Sequence, residues 1–338
     1  MLLAGGGSAL KDGVCVTDSH SASAEIYDPA LGTTTPVSNA LSVARCQHVA
    51  VLSGSKVYVM GGTSSKAIDI YDSAAISFAT TGLPVLNSTR FGATATPNGS
   101  GSIILTGGAT SSGGSGTQSV EQFDTTTNTS HLYGGANSSL SVGRAEHSAT
   151  LFGKWLVIVG GSPTSASVDV IDTTLSTAGG NQVASFNPSG GQIRLAQAAA
   201  AVDASTLLVA GGLSATGTPI SSMQTYTFNS AAGTVSAVSA AQALVHARAR
   251  FALLVIGSAK FLAVGGTTAM SALGDTATAS IEEIDATQLT TIAWPTSLSV
   301  ARQAFGAAKL SFSAATNSVF LLAGGASSSS SELLVMPN

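Results

Sequence analysis

Charge is scarce in this chain of 338 residues: Asp, Glu, Lys and Arg make up 9% of it, and the formal net charge is −4. With no long block of one sign, the sequence carries no electrostatic footprint for nucleic acid. No uninterrupted apolar run of about 18 residues occurs, so nothing reads as a membrane span. The opening residues MLLAGGG lack the basic start and long apolar core of a signal peptide, and read instead as a strand. Two cysteines, Cys15 and Cys46, neither demand nor exclude an oxidising compartment. Ser, Thr, Ala and Gly take the place of the missing charge. That composition leans toward a secreted or cell-surface protein, while an apolar fraction of 44% excludes a disordered one.

Against this plain background one feature repeats. A glycine pair closes a short apolar run seven times, at Gly5–Gly6, Gly61–Gly62, Gly107–Gly108, Gly160–Gly161, Gly211–Gly212, Gly265–Gly266 and Gly324–Gly325. The spacing, roughly 46–59 residues, is that of a propeller or array. Around Arg45 the unit reads as ARCQHVAVL, a turn, VYVMGG, a loop, and the alternating AIDIYD, with the weaker ISFATT as an outer strand. Four antiparallel strands per unit make one blade. An arginine precedes the pair by about 16 or 17 residues at Arg45, Arg90, Arg144, Arg194 and Arg248, and Arg302 takes that place before a longer hairpin. Most acids fall in the third strand of each unit, among them Glu25, Asp28, Asp69, Asp72, Glu121, Asp124, Asp169, Asp172, Glu282, Asp285 and Glu332.

These features in phase resemble the kelch-repeat family, within the galactose oxidase central-domain superfamily. The resemblance covers nearly the whole chain. It departs at the family's fourth-strand Trp, which only Trp294 approaches, with Phe78 as a substitute and Trp155 in strand two. It implies an all-β, seven-bladed β-propeller in a single domain, with blades near 1–38, 39–83, 84–136, 137–187, 188–239, 240–294 and 295–338. Strand counting leaves the first blade without an inner strand and the last without an outer one, so the sequence is expected to be a segment of a longer protein.

Repetition in every blade marks most acids as scaffold. The arginines divide between scaffold and ligand: their starting positions share a face with the long loops 109–119, 213–222 and 267–280, and family members that capture acidic peptides use arginines at this position. The expected function is therefore a non-catalytic binding module, its Arg-bearing face (Arg45, Arg90, Arg144, Arg194, Arg248, Arg302) holding a protein segment, glycan or surface polymer, possibly acidic. No cofactor, nucleic acid or membrane insertion is expected.

The alternative is a carbohydrate-active enzyme such as a sugar-acid epimerase or mutarotase on the same face, with the out-of-phase acids Glu146, Asp203 and Asp275 as candidate bases. A copper radical oxidase is disfavoured. Its family site has two Tyr, two His and a Cys bonded to one Tyr, with one adjacent Tyr-His step, and no such step occurs here. Tyr27, Tyr58, Tyr71 and Tyr226 fill repeat slots instead, while Tyr133 lies with His131 in an outer strand. One local cluster remains: Cys15, Asp18 and His20 in the loop after the first glycine pair, and Cys46 and His48 at the start of the next blade. A disulfide between Cys15 and Cys46 is favoured there over a zinc site if the protein is exported.

Overall fold

A computed structural model describes residues 1–7, 10–12, 14–15, 20–133, 138–174, 183–236, 239, 241–310, 317–325 and 331–337. All its regular elements are strands, arranged as seven antiparallel blades. Blade four shows the order. Ser148–Phe152 pairs with Trp155–Val159, which pairs with Val168–Asp172, and Val183–Phe186 closes the outside. Blades two, three and six repeat this pattern, and blade five adds a short strand, Gln242–Ala243, beside Ser222–Asn229. Blade one consists of Leu2–Ala4, Ala24–Asp28 and Thr33–Pro36, and blade seven of Gly306–Leu310, Asn317–Ala323 and Ser331–Pro337. Among the described residues the first sheet has no inner strand and the last no outer strand, as strand counting in the sequence implies.

The second strands are continuous apolar runs because both of their faces are covered. In Trp155–Val159 every residue after Trp155 is buried. Each blade junction carries a hydrophobic cluster, and the junction of blades five and six carries a second, smaller one of Ala196, Leu213 and Ala249. Phe152, Val157, Leu207 and Phe228 join blades four and five, for example, and Ile104, Leu156 and Ile171 join three and four. Each fully buried Val, Leu, Ile or Phe contributes about 1.5–3 kcal/mol. Tyr27 packs with Leu310, Val319 and Leu321 between blades one and seven, closing the ring by side-chain packing.

The inner strands begin later than the alternation in ARCQHVAVL suggests. Arg45 lies ahead of its strand, which opens at Val49. Two residues past each repeated arginine the backbone turns left-handed, at Gln47, Gly92, Glu146, Ala196, Arg250 and Ala304, and no extended strand passes through that conformation. The turned residues are linked in sequence around the propeller axis. Gly92 donates its amide to the Gln47 carbonyl, Glu146 to Gly92, Ala196 to Glu146, Arg250 to Ala196 and Ala304 to Arg250, at 2.7–3.0 Å. This collar ties blades two to seven at their inner ends.

Candidate functional site

The six repeated arginines are the largest fully buried side chains among the described residues, at 0–1% exposure. In blade four, Arg144 Nε donates to Asp169 Oδ2 (2.9 Å), Nη1 to the Gly160 carbonyl (2.6 Å), and Nη2 to the carbonyl and hydroxyl of Ser167 (2.7 and 2.8 Å). Arg45 meets Asp69, Arg90 meets Glu121, and Arg248 meets Glu282 in the same way. Arg302 Nη1 reaches the Gly324 carbonyl, with Glu332 3.9 Å from its Nε. Each arginine thus spans from its inner strand to the glycine pair and on to the third strand. Each carboxylate also accepts the backbone amide of the residue three before its own arginine: Ser42, Asn87, Ser141, Val245 or Ser299. A charge desolvated this far is tolerated only when paired and hydrogen-bonded; Arg45, Arg90 and Arg144 achieve this through all three guanidinium nitrogens, whereas Arg248 is paired through Nη2 and its Nε is buried without a partner.

Blade five is the exception. Its acid slot holds Gln224, and Arg194 is left with Gln192 Oε1 at 2.8 Å, Gln224 Oε1 at 3.5 Å and the carbonyls of Gly211 and Ser222. With burial unopposed by a carboxylate, the Arg194 guanidinium is pushed down to about 10. Gln224→Glu restores the repeat. We expect it to raise stability by about 1–2 kcal/mol, the margin of a charge-assisted over a neutral hydrogen bond, read as a higher urea midpoint at neutral pH.

Most of the other strand-three acids close turns. Asp28, Asp72, Asp124, Asp172 and Asp285 each accept the amide two residues on, and Asn229 does so in blade five. Of the out-of-phase acids, Asp203 lies in an exposed turn capping the Ser205 amide (2.7 Å), and Asp275 accepts the Ser271 amide within loop 267–280 (3.2 Å). Glu146 alone is brought to the axis. Its carboxylate accepts Arg250 Nη2 (2.8 Å) and Nε (3.3 Å) from blade six, and Gln47 Nε2 (3.1 Å) from blade two. Gln47, Glu146 and Arg250 alternate on the collar with Gly92, Ala196 and Ala304, so three long polar side chains meet where three small residues leave room. Arg250 is the one arginine out of phase, and that was the only signal for it in the sequence.

The five tyrosines are all buried, in blade junctions rather than around the axis. Tyr133, beside Asp172, has its hydroxyl pushed up to about 12 by burial and that charge. His131 projects from the exposed outer strand Thr129–Leu132. His246 is half-exposed against Glu282. His147 is buried, its Nε2 within 2.8–2.9 Å of the Thr94 and Thr106 hydroxyls, and burial beside Arg144 and Arg90 pushes it down to about 3.

The His147 shift fixes a pH dependence. Between about 6.5 and about 3 the unfolded chain holds a proton on this imidazole that the folded chain does not. Its contribution is therefore complete above about 6.5 and is lost on acidification, by up to about 1.4 kcal/mol per pH unit. His147→Gln, which copies Gln197 at the same place in blade five, should reduce the fall in urea midpoint between pH 7.5 and pH 5, leaving the part due to His48, which burial pushes down to about 4.

Two segments meet at the edge of the collar. Cys15, on the small hairpin Leu10–Lys11/Val14–Cys15, is joined to Cys46 by a disulfide with Cα atoms 6.3 Å apart. His20 is held by an isolated bridge to Gly7, and Ser21 by one to Arg45. A ring nitrogen of His20 and the two sulfurs all lie within 4.8 Å of one another, and Nε2 of His20 is buried without a hydrogen-bond partner. Among the described residues this is the only group of three such donors. Asp18 lies outside the described residues. The hairpin extends across the loop face: the Asp12 amide reaches the Ser271 carbonyl of blade six (3.3 Å), and Val14 packs against Gly113 of blade three.

No family model and no curated protein matches the chain. Among solved structures, one described as a novel fungal alcohol oxidase with catalytic diversity among the AA5 family, in complex with copper, aligns with a TM-score of 0.76 at 16% identity, covering 99% of this chain and 71% of that one. The likeness establishes the seven-bladed propeller.

The expectation of a non-catalytic module holding a ligand on its arginine face is corrected on two counts. A solved propeller that it resembles is described as an alcohol oxidase in complex with copper. The six arginines are enclosed within the blades, with their guanidinium groups spent on glycine-pair carbonyls and strand-three side chains. Sequence phase placed them correctly along the chain but not in depth, because a repeating charge looks the same whether it lines a mouth or braces a blade.

A copper centre built on two tyrosines and two histidines does not fit this chain, since every tyrosine is committed to a core. The Cys15 and Cys46 sulfurs beside His20 do not supply one either, because they are joined as a disulfide and offer no thiolate.

Proposed function

We propose that this chain is a kelch-type propeller serving as the body of an exported oxidoreductase. The observation that carries the reading is the propeller likeness, over 99% of this chain, to a structure described as an alcohol oxidase in complex with copper. The repeated charges are consumed by the scaffold, and the Cys15–Cys46 disulfide is compatible with an extracellular setting.

The test is a panel of primary alcohols offered in air, with carbonyl product and hydrogen peroxide both measured. Equimolar carbonyl and peroxide is the expected result. No turnover of any alcohol would overturn the oxidoreductase reading.

A further inference from the structure

Blades two, three, four, six and seven set a carboxylate against their buried arginine, and blade five does not. Arg194 nevertheless keeps its charge at 0% exposure, with no route back to water. We propose that blade five binds a small monovalent anion of the halide class, chloride in a saline medium, against Arg194 Nε and the Tyr226 hydroxyl, in the role of the missing carboxylate. Such a site is independent of the alcohol chemistry proposed above.

Three observations carry it. The first is that the unmet proton of Arg194 is the one carboxylates take elsewhere. Arg45, Arg90 and Arg144 donate Nε–H to Asp69, Glu121 and Asp169 at 2.8, 3.2 and 2.9 Å, whereas Arg194 Nε is buried with no acceptor. Arg248 Nε is also unmet, but Glu282 neutralises that guanidinium through Nη2. The second is another unmet donor on the same strand. Tyr226 stands two residues beyond Gln224 in Ser222–Asn229, so both side chains leave the same face of the sheet. Its hydroxyl is buried and gives its proton to nothing, and the Gln192 amide approaches the phenol oxygen only outside hydrogen-bond geometry. The Arg194 charge opposes the upward push that burial gives this hydroxyl, so the two groups share one electrostatic environment. The third is that the other partners are neutral and already placed. Gly211 and Ser222 carbonyls take Nη1 at 2.9 and 2.6 Å, and Gln192 Oε1 takes Nη2 at 2.8 Å. Gln224 turns its own amide away, to the carbonyls of Gly190 (2.9 Å) and Ser239 (3.4 Å).

Two donors and one uncompensated positive charge select the ligand. It must carry a single negative charge, accept from both N–H and O–H, and bring no proton that needs an acceptor of its own. A halide meets all three conditions and makes no directional demand. A dianion such as sulfate would replace one unpaired buried charge with another. Water accepts from both donors but leaves the guanidinium without a counter-ion.

The experiment follows urea unfolding of the whole chain at neutral pH and constant ionic strength while chloride replaces gluconate. An anion held only by the folded chain raises the midpoint with the logarithm of its concentration once the dissociation constant is passed. We expect that rise with chloride and with bromide. Tyr226→Phe removes one neutral hydrogen bond and should weaken the apparent dissociation constant about fivefold. Gln224→Glu supplies the counter-charge covalently, so its midpoint should be raised already in gluconate and no longer respond to chloride. A wild-type midpoint equal in chloride and gluconate, or an undiminished chloride response in Gln224→Glu, would overturn the site. Crystals of the chain grown in bromide locate it. An anomalous peak beside Arg194 Nε and the Tyr226 hydroxyl is expected, and an ordered water in that position would overturn the proposal.

Discussion

Asp169→Asn should destabilise the propeller by about 3–5 kcal/mol, the cost of leaving a buried charge without its counter-ion. Arg144 has no exposure through which to regain water, and its remaining partners are neutral. The substitution keeps the shape of the side chain, so the loss isolates charge from packing. Replacing both partners with apolar residues, as in Arg144→Met with Asp169→Leu, should cost less than Asp169→Asn alone, because no orphaned charge remains. Urea unfolding of the three proteins checks both statements. A single variant within 1 kcal/mol of the wild type would mean that Arg144 reaches solvent.

The second large effect is at a glycine pair. Gly161 has a φ of +75°, and a Cβ there would lie 2.5 Å from His147 Cβ and 2.7 Å from the Ala145 carbonyl oxygen. Gly161→Ala therefore adds a collision with backbone to the cost of a left-handed side chain, and we expect a loss above about 4 kcal/mol, in the range reserved for severe core defects. Gly153 provides the control. Its φ is +58°, but nothing lies within 4 Å of the position a Cβ would take. Gly153→Ala should cost only the backbone component, about 1–2 kcal/mol. The comparison separates the two reasons for a glycine, and similar losses at both positions would mean that the close approach at Gly161 is absent.

The glycine pairs made the fold legible, since a strand end that must both turn left-handed and touch the neighbouring blade excludes every side chain. Phase then identified the third-strand acids and the arginines separately. That they meet was not legible. Arg45 and Asp69 are 24 residues apart, Arg90 and Glu121 are 31, and Arg248 and Glu282 are 34. Loops of different length between strands two and three disguise a constant contact as a variable spacing. The collar was hidden for another reason: five of its six left-handed residues are not glycine, so composition gives no sign of the turn. The cluster of Cys15, His20 and Cys46 was visible as a group of donors in neighbouring segments. Its geometry depends on a short hairpin with no repeat to predict it.

Whether the repeated arginines are scaffold is tested most directly by treating the folded chain with phenylglyoxal and mapping the modified residues by mass spectrometry. Arg45, Arg90, Arg144, Arg194, Arg248 and Arg302 should stay unmodified until the chain is unfolded, while Arg250, whose side chain keeps 9% exposure, reacts first. Modification of Arg144 or Arg248 in the folded protein, at the rate of a free arginine, would contradict the structure's central assignment and return those side chains to an open face.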